Sequence, residues 1–487
     1  MLRFLGAAVP SVLPWTGRGG PDPPPGRAAR ERSYDSGMPT SPADPRPSET
    51  ATGLEVRPFR ALTYRRHDPD HLARVTSPAY DLVTAAGRER LSGADPHNIV
   101  RLILPHVDEA SAAPGPAAAD GAPAWAAHAA RTLDAWQAEG VLDRDAEPAL
   151  WAYELQPPDG GAATVGWLAA VGIPGPGSAA VLPHEDTFPD AVEGRRALLA
   201  ATRTDLEPIV LAHDPDAEVA ELTRRTVAAA PTAEVVDDDG VRHRLWRVPD
   251  PATIAGLTGA LRRTGAVIAD GHHRYAAARA HQRTDPGCPG CDAVLALLTP
   301  MGPGGLRVAA IHRVLPDLDL DAAGRLAADG FTVTELPVGA AGGDAEAAEA
   351  AVAAAVQAWL GGHGEPGFLL SDGRRLQHLG SPQPAVLTRV PAEAPAAWRG
   401  LDVVLAHKGL IEGLWGRPDE PGTVVIAHTV EDTLRGARER SGVALLLRPP
   451  SPADVAAVAR AGARMPRKST LFVPKPRTGL VLRPLPG

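Results

Sequence analysis

The sequence A-V-I-A-D-G-H-H-R-Y (266–275) carries the strongest local signal for fold and function in this chain. Its four apolar residues predict a buried strand, and the polar, glycine-containing turn that follows predicts the start of a helix over 275–283. A helix that begins directly after a strand presents unsatisfied N–H groups and the positive end of its dipole, and both attract anions. The sequence therefore predicts an anion site, suited to phosphate, at residues 270–275.

Each residue of this turn has a predicted role. Gly271 lets a ligand approach the backbone closely. His272, His273 and Arg274 add hydrogen-bond donors, and Asp270 is placed to hold a Mg²⁺ ion that bridges phosphate oxygens. Two alternatives stay open. Asp270 is an ordinary N-cap beside solvated histidines, or the two histidines are metal ligands, although neighbours in sequence seldom point to one ion.

A second polar cluster, L-P-H-E-D-T-F (182–188), lies in a loop after a predicted strand near 179–182. Two acids beside a histidine, Glu185 and Asp186 next to His184, are able to supply a general base or a metal ligand. A solvated acidic turn explains the same residues without any function.

The third cluster is M-P-R-K-S-T (465–470), in a chain with three lysines, all within its last 80 residues. The upstream glycines of a phosphate-binding P-loop are missing, so that motif is excluded. A loop that presents Lys468, Ser469 and Thr470 still suits a phosphate or a carboxylate. A basic surface loop is the alternative.

The two cysteines form a C-P-G-C sequence (288–291). A zinc ribbon needs a second pair, and a thioredoxin-like motif needs a strand–helix context that is absent here. A local structural role for Cys288 and Cys291 is favoured, and a site that adds His281 and an acid stays open.

Composition narrows the class of protein. The chain has 487 residues, enough for two or three domains at roughly 150 residues each. Its net charge is −9 without a basic block, which argues against a general nucleic-acid binder. No run of 18 apolar residues exists, which excludes a membrane-spanning helix. We expect a soluble, cytoplasmic protein without nucleic-acid or membrane partners.

Three segments are predicted along the chain. Residues 1–53 are rich in Pro, Gly, Ser and Arg and should form a disordered tail, with Met38 as an alternative start to Met1. Residues 54–315 form a core that carries the first two clusters, and residues 316–487 form a C-terminal α/β region with the third. Short strands interleaved with helices predict a mixed α/β (α+β) fold. Residues 98–104 are predicted as a strand, and strands at 292–298 and 306–311 are predicted to pair with each other.

Seven blocks, in order, resemble the bacterial family called domain of unknown function 1015, and the resemblance covers about residues 54–487. The blocks are V-R-P-F-R-A (56–61), S-P-A-Y-D (77–81), H-N-I-V-R-L (97–102), P-H-E-D-T (183–187), I-A-D-G-H-H-R-Y (268–275), I-H-R-V (311–314) and M-P-R-K-S-T-L-F-V-P-K (465–475).

Two of these blocks resemble a wider group. D-G-H-H-R is similar to the phosphate-binding box of the ParB/sulfiredoxin-like superfamily, most closely that of its free-serine kinases, which also carry a P-H-E box with a glutamate that acts as the base. The resemblance implies a ParB/sulfiredoxin-like nucleotide-binding core with large insertions and a C-terminal α/β extension. It also implies that Glu185 matches the catalytic glutamate.

The residues and the resemblance together predict an ATP- or ADP-dependent phosphotransferase with Mg²⁺ that acts on a small hydroxyl metabolite, with free L-serine as the expected substrate. Two alternatives remain, a ParB-like nucleotide-binding regulator without transfer chemistry and a metal-dependent hydrolase. The predicted catalytic residues are Glu185, Asp270 and His272, the nucleotide-phosphate ligands are Gly271, His273 and Arg274, further substrate or phosphate contacts are His184, Lys468, Ser469 and Thr470, and the metal ligand is Asp270.

Overall fold

The computed structural model describes residues 53–106, 122–338, 345–362, 367–420 and 422–486. The predicted N-terminal tail and the alternative start at Met38 lie outside the described residues, apart from Gly53. Strands and helices alternate along the described chain, so the predicted mixed α/β fold is confirmed. None of the described helices is long and apolar enough to cross a membrane.

The described strands are short, and most of them are buried. In chain order they are β1 (Val56–Arg57), β2 (Leu62–Tyr64), β3 (Leu142–Arg144), β4 (Leu150–Gln156), β5 (Thr164–Gly172), β6 (Val181–Leu182), β7 (Thr204–Asp205), β8 (Ile209–His213), β9 (Ala233–Val236), β10 (Arg242–Val248), β11 (Ala266–Asp270), β12 (Ala293–Pro300), β13 (Arg307–Ala309), β14 (His312–Leu315), β15 (Thr332–Leu336), β16 (Gly367–Ser371), β17 (Leu376–Gly380), β18 (Val425–Ala427), β19 (Val443–Leu446), β20 (Leu471–Val473) and β21 (Arg483–Pro484).

The described α-helices are α1 (Pro69–Val75), α2 (Ala85–Ala94), α3 (Val100–Ile103), α4 (Ala124–Ala138), α5 (Pro189–Thr202), α6 (Ala217–Val227), α7 (Pro251–Leu261), α8 (His272–Thr284), α9 (Leu320–Ala327), α10 (Ala345–Gly361), α11 (Pro384–Leu387), α12 (Ala396–Arg399), α13 (Asp402–Val404), α14 (Val430–Glu439) and α15 (Pro452–Arg460). A 3₁₀ turn spans Tyr80–Leu82, and a π-helix spans Leu405–Leu414. Helix α15 begins with a capping box, in which Ser451 and Asp454 cap it reciprocally.

Two larger sheets organise the chain. Nine strands form a mixed sheet in the order β6-β11-β8-β12-β5-β4-β10-β9, with β1 paired to β5. Six later strands form an antiparallel sheet in the order β15-β17-β16-β19-β14-β18. Strands β9 and β10 pair antiparallel and form a hairpin across the acidic turn 237–240.

Two sequence predictions about strands are wrong. Residues 98–104 contain α3 instead of a strand, because the Asn98 amide oxygen accepts the N–H of Val100 at 2.9 Å and begins a short buried helix. A short apolar run does not distinguish a buried strand from a buried helix. Strand β13 also does not pair with β12, because β5 and β8 already occupy both edges of β12. It pairs with β20 near the C-terminus.

One pairing positions the candidate site. Strands β6 and β11 are adjacent and parallel, so the residues that follow both strands leave the sheet at the same edge. The P-H-E-D-T loop follows β6, and the D-G-H-H-R turn begins at the last residue of β11. The two predicted clusters therefore meet although about 85 residues separate them.

Candidate functional site

The two adjacent histidines of α8 hold the P-H-E-D-T loop against the start of the helix. The backbone N–H of His184 donates to Nε2 of His272 at 3.3 Å, and the N–H of Phe188 donates to Nε2 of His273 at 3.1 Å. Each ring thus uses one nitrogen on the backbone of the loop. The two rings bind different groups, and in this arrangement they do not converge on one ion.

A hydrogen-bonded chain runs from His184 to Glu185 through Thr470. The Thr470 hydroxyl donates to Glu185 Oε1 at 2.8 Å. Nε2 of His184 lies 3.0 Å from the Thr470 hydroxyl oxygen and donates to it. This contact joins residues 285 positions apart. It brings the third predicted cluster to the first two.

Backbone contacts fix the 465–470 loop in this place. The N–H of Met465 donates to the His184 carbonyl at 2.8 Å, and Arg464 donates to the Pro183 carbonyl at 2.7 Å. Ser469 is buried, and its hydroxyl donates to the Pro466 carbonyl inside the loop, so it is not directed to a ligand.

Lys468 differs from Ser469 because its side chain is exposed. Within the described ranges, no carboxylate lies within ion-pair distance of its ammonium group. Its backbone adopts a left-handed conformation with φ 53°. The Lys468 carbonyl accepts a hydrogen bond of 2.9 Å from the buried guanidinium of Arg313, which stabilises that backbone.

Arg313 links the 465–470 loop to the second sheet. Its Nε donates to Nε2 of His407 at 3.1 Å, and the other ring nitrogen of His407 bonds Asp419 at 3.0 Å. His407 lies in the π-helix, a rare conformation that occurs frequently at functional sites. The hydrogen bond from His407 holds the pKa of Asp419 at about 2, and burial lowers the pKa of Arg313 to about 10.

The electrostatics of the Glu185 surroundings favour neutral groups. Burial lowers the pKa of His184 to about 4, and burial together with the charges of His184 and His273 lowers the pKa of His272 far below its usual value. Burial and the charge of Asp270 raise the pKa of Glu185, although Thr470, Lys468 and Lys475 oppose this. Its side chain remains 35% exposed, so a ligand can reach it.

The tautomer of His272 follows from its contacts. Its Nε2 accepts the backbone N–H of His184, so the proton of the neutral ring lies on Nδ1. This nitrogen faces Glu185 Oε2 at 4.0 Å, too far for a direct hydrogen bond. The gap leaves Oε2 available to a third group.

Asp270 lies in a different environment from Glu185. One of its oxygens accepts from Lys475 at 2.9 Å and the other from Arg274 at 2.6 Å. Lys475 also pairs with Asp81. Burial alone would lower the pKa of Lys475, but the charges of Asp270 and Asp81 outweigh burial and raise it. Four charged side chains thus form one continuous network.

Arg274 is largely buried within this network and is not directed to solvent. It donates to the Pro208 carbonyl as well as to Asp270, and its guanidinium lies 5.7 Å from the centre of the Tyr80 ring. The predicted phosphate ligand therefore occupies a position that supports the turn. Gly271 has a positive φ of 88°, and a Cβ there would approach Ile209 to 2.9 Å, so this junction of strand and helix requires glycine.

The predicted magnesium site at Asp270 does not fit this arrangement. Both carboxylate oxygens already have cationic partners, and an ion would have to replace Lys475 or Arg274. Among the described residues, no third carboxylate, histidine or cysteine completes a compact ligand set with Asp270. No catalytic step is therefore assigned to a metal ion bound by Asp270.

Sequence reasoning missed Asp81, Lys475 and Arg313 as site residues. Two signals were present, because Asp81 ends the S-P-A-Y-D block and Lys475 is one of three lysines in the chain. Neither signal reveals that the two side chains pair across 394 positions.

The family model described as a protein of unknown function (DUF1015) matches residues 56–404. This match covers more than half of the chain. The chain belongs to the DUF1015 family. The P-H-E-D-T and D-G-H-H-R clusters lie inside the matched range, and the 465–470 loop, which completes the site of this family member, lies beyond it. No curated protein matches the sequence.

Solved structures are similar at low identity. They include a glutamate-to-glutamine mutant of a free serine kinase in complex with AMP, with a TM-score of 0.28, 14% identity, and coverage of 60% of this chain and 84% of that chain. SbnI with a C-terminal truncation, from Staphylococcus aureus, has a TM-score of 0.31, 13% identity, and coverage of 63% and 82%. A conserved hypothetical protein from Pyrococcus furiosus has a TM-score of 0.26, 15% identity, and coverage of 60% and 87%. The function of this DUF1015 member has to be inferred from its own site.

Proposed function

We propose that this chain is a nucleotide-dependent phosphotransferase that acts on a small hydroxyl-bearing substrate. The observation that carries the proposal is the environment of Glu185. This carboxylate is reachable, its pKa is raised, and its neighbours within 4 Å among the described side chains are a hydroxyl and two neutral imidazoles. A general base works best when its pKa lies near the working pH and one oxygen can reach the substrate.

Positive charge lies beside this base. Lys468 interacts electrostatically with both Glu185 and His273, so its ammonium group is near the P-H-E-D-T loop and the start of α8. No side chain caps the first turn of α8, which leaves its N–H groups for a ligand. A phosphate held by Lys468 and this turn would place its phosphorus next to the base, as phosphoryl transfer requires.

Phe188 supports a nucleotide as the phosphate donor. Its ring is 66% exposed, which is unusual for a large aromatic residue, and it stacks on His273 with 5.8 Å between ring centres and 14° between planes. An exposed aromatic face beside a phosphate site offers a surface on which a base stacks, worth about 1–3 kcal/mol per base.

In the proposed reaction, Glu185 Oε2 removes the hydroxyl proton of the substrate while the hydroxyl oxygen attacks the terminal phosphorus of ATP or ADP. The bond between this phosphorus and the bridging oxygen of the nucleotide breaks, and its electron pair stays with the shortened nucleotide that leaves. Thr470 and His184 fix Oε1 of Glu185, and Lys468 stabilises the charge on the transferring group. Free L-serine is the proposed acceptor, on the resemblance of the two boxes.

A regulator that binds a nucleotide without transfer is the second candidate. It is favoured by the pairing of Asp270 with Lys475 and Arg274, because an acid held between two cations supports a binding site without taking part in transfer. The geometry does not favour a metal-dependent hydrolase. Among the described residues, the ligand atoms of His184, Glu185 and His272 do not form a compact set of three.

The test is ³¹P NMR of the purified chain with ATP or ADP, Mg²⁺ and a panel of hydroxy amino acids. We expect a new phosphomonoester signal with L-serine. Glu185→Gln should lower the transfer rate by roughly 10²-fold or more, with nucleotide affinity almost unchanged, because it keeps the shape and removes the base.

Asp186→Asn is the matched control, since this adjacent carboxylate is 88% exposed and should not affect transfer. Nucleotide binding without any phosphorylated product would favour the regulator. Full activity in Glu185→Gln would contradict the proposal.

A further inference from the structure

The end of α8 opposite the candidate site carries a separate cluster of metal-ligating side chains. His281 lies in the last turn of α8, and Cys288 and Cys291 follow in the next loop. One ligand atom from each residue lies within 4.8 Å of the other two. Among the described residues, these three form a compact group of histidine, cysteine or carboxylate ligands. In the structure the two sulfurs are joined as a disulfide.

The chemistry of these donors suits zinc. Two thiolates and one imidazole form a common ligand set, and two cysteines separated by two residues are the usual spacing of one zinc-binding turn. With Zn–S near 2.3 Å and Zn–N near 2.0 Å, a tetrahedral ion separates its ligand atoms by about 3.5–3.8 Å. The observed distance from Cys288 Sγ to His281 Nε2 is 4.0 Å.

The sequence left His281 open as a partner of the two cysteines, and the structure brings its ring to them. A zinc ribbon takes its second pair from a second turn, whereas here the partner histidine precedes the cysteines on a helix. In the sequence these residues follow the order H-x6-C-x2-C. They come together in space because the N–H of Cys288 donates to the Asp285 carbonyl at 3.1 Å, which turns the chain back towards α8.

The cysteine turn is held in place from outside. Arg483 donates to the carbonyl of Gly290 and pairs with the buried carboxylate of Asp205, so the C-terminal strand supports the loop. Gly290 has φ 74°, and a Cβ there would meet Pro486 at 2.3 Å. These contacts hold the cysteine turn beside the last turn of α8, where His281 lies.

Burial predicts an open coordination position. His281 and Cys291 are buried, and Cys288 is partly exposed. Three protein ligands with one side open to solvent leave the fourth position to water.

We propose that the reduced form of this chain binds one Zn²⁺ ion through His281 Nε2 and the sulfurs of Cys288 and Cys291. An external dithiol or phosphine reductant supplies two electrons to the disulfide, which becomes two thiols while the reductant is oxidised. Zinc binding then displaces the two thiol protons. An azo oxidant such as diamide takes two electrons from the thiolates and is reduced to its hydrazine, which re-forms the S–S bond and releases the ion. The site is independent of the proposed phosphoryl transfer.

The test uses the full chain, reduced with a phosphine that is then removed without oxygen, and titrated with Zn²⁺ against a chromophoric chelator. We expect the reduced chain to withhold one equivalent of zinc from the chelator and the diamide-oxidised chain to withhold none. Co²⁺ in place of Zn²⁺ should give the intense visible absorption of a tetrahedral thiolate site.

Variants identify the ligands. Cys288→Ser and His281→Gln should each weaken zinc binding at least tenfold, whereas His128→Gln, on an exposed face of α4, should leave it unchanged. Alkylation of the reduced wild-type chain should abolish binding without any substitution, which separates ligand loss from misfolding. Equal zinc binding by the oxidised chain, or no more binding by the reduced chain than by Cys288→Ser, would overturn the proposal.

Discussion

Glu185 and Asp270 belong to the same site but lie in opposite electrostatic surroundings. Glu185 is surrounded by a hydroxyl and two neutral imidazoles, and burial raises its pKa. Asp270 is held between Lys475 and Arg274. When the environments of two acids differ in this way, one is suited to proton transfer and the other to structure. These surroundings suit Glu185 to proton transfer and Asp270 to support of the fold, at one edge of the sheet.

The largest effect should come from the charged network on the Asp270 side. Lys475→Met removes the cation between Asp270 and Asp81 and leaves two partly buried carboxylates without it. We expect the free energy of unfolding to fall by about 3 kcal/mol, as when one member of a buried ion pair is removed. Urea denaturation measures this.

Lys408→Met is the matched control for that loss. Lys408 pairs with Glu412 one turn away and is 37% exposed, so its removal should cost less than about 0.5 kcal/mol. Equal losses in the two variants would show that the Asp270 network does not support the fold.

This network also shows which features a sequence predicts, namely local elements and motifs, and which it does not, namely contacts between distant segments. Elements with a clear local signal, such as β11 and α8, were predicted within a few residues. Asp270, Gly271 and Glu185 were singled out because local motifs carry them. The contacts of Asp81 with Lys475, and of Glu185 with Thr470, depend on chain segments about 300–400 positions apart, and no periodicity encodes such pairings.

Two basic residues received the same predicted role, although the structure gives them different surroundings. Arg274 and Lys468 both look like phosphate ligands in the sequence. The structure buries Arg274 against Asp270 and Pro208 and leaves Lys468 exposed. Burial and partners decide between support and binding, and both arise from tertiary structure.

The next effect distinguishes the two lysines near the site. Lys468→Ala should weaken nucleotide binding by roughly tenfold, within the range expected for a charge-assisted hydrogen bond to phosphate, while the unfolding free energy stays within about 0.5 kcal/mol. For Lys475→Met we expect the opposite pattern, in which the unfolding free energy changes more than the nucleotide affinity. Isothermal titration with ATP, paired with urea denaturation, measures both. A stability loss in Lys468→Ala as large as that in Lys475→Met would remove the distinction.

A smaller effect concerns the pH dependence of transfer. Glu185 must be ionised to act as the base, and burial raises its pKa, so activity should rise with pH through a limb above the usual range of a glutamate. The charge of Lys468 opposes this shift. Lys468→Ala should therefore move the limb to higher pH, as measured by kcat/KM profiles at saturating nucleotide. A shift to lower pH would contradict the assigned environment.

The smallest effect is a gain in stability from the loss of the proposed base. An acid whose pKa is higher in the folded state binds its proton more tightly when folded. Its contribution to stability is therefore complete below the unfolded pKa, and it is lost as the pH rises through the folded value. Once the pH exceeds the folded pKa, the folded chain holds a partly buried, ionised Glu185 that has no cation in direct contact among the described residues. Glu185→Gln should then raise the melting temperature by about a degree at pH 8, with no gain at a pH below the unfolded pKa, where Glu185 is protonated in both states. Asp186→Asn should show no such pH-dependent gain, because that carboxylate is almost fully exposed. A lower melting temperature for Glu185→Gln at pH 8 would mean that the Glu185 carboxylate supports the fold as Asp270 does, and the contrast between the two acids would disappear.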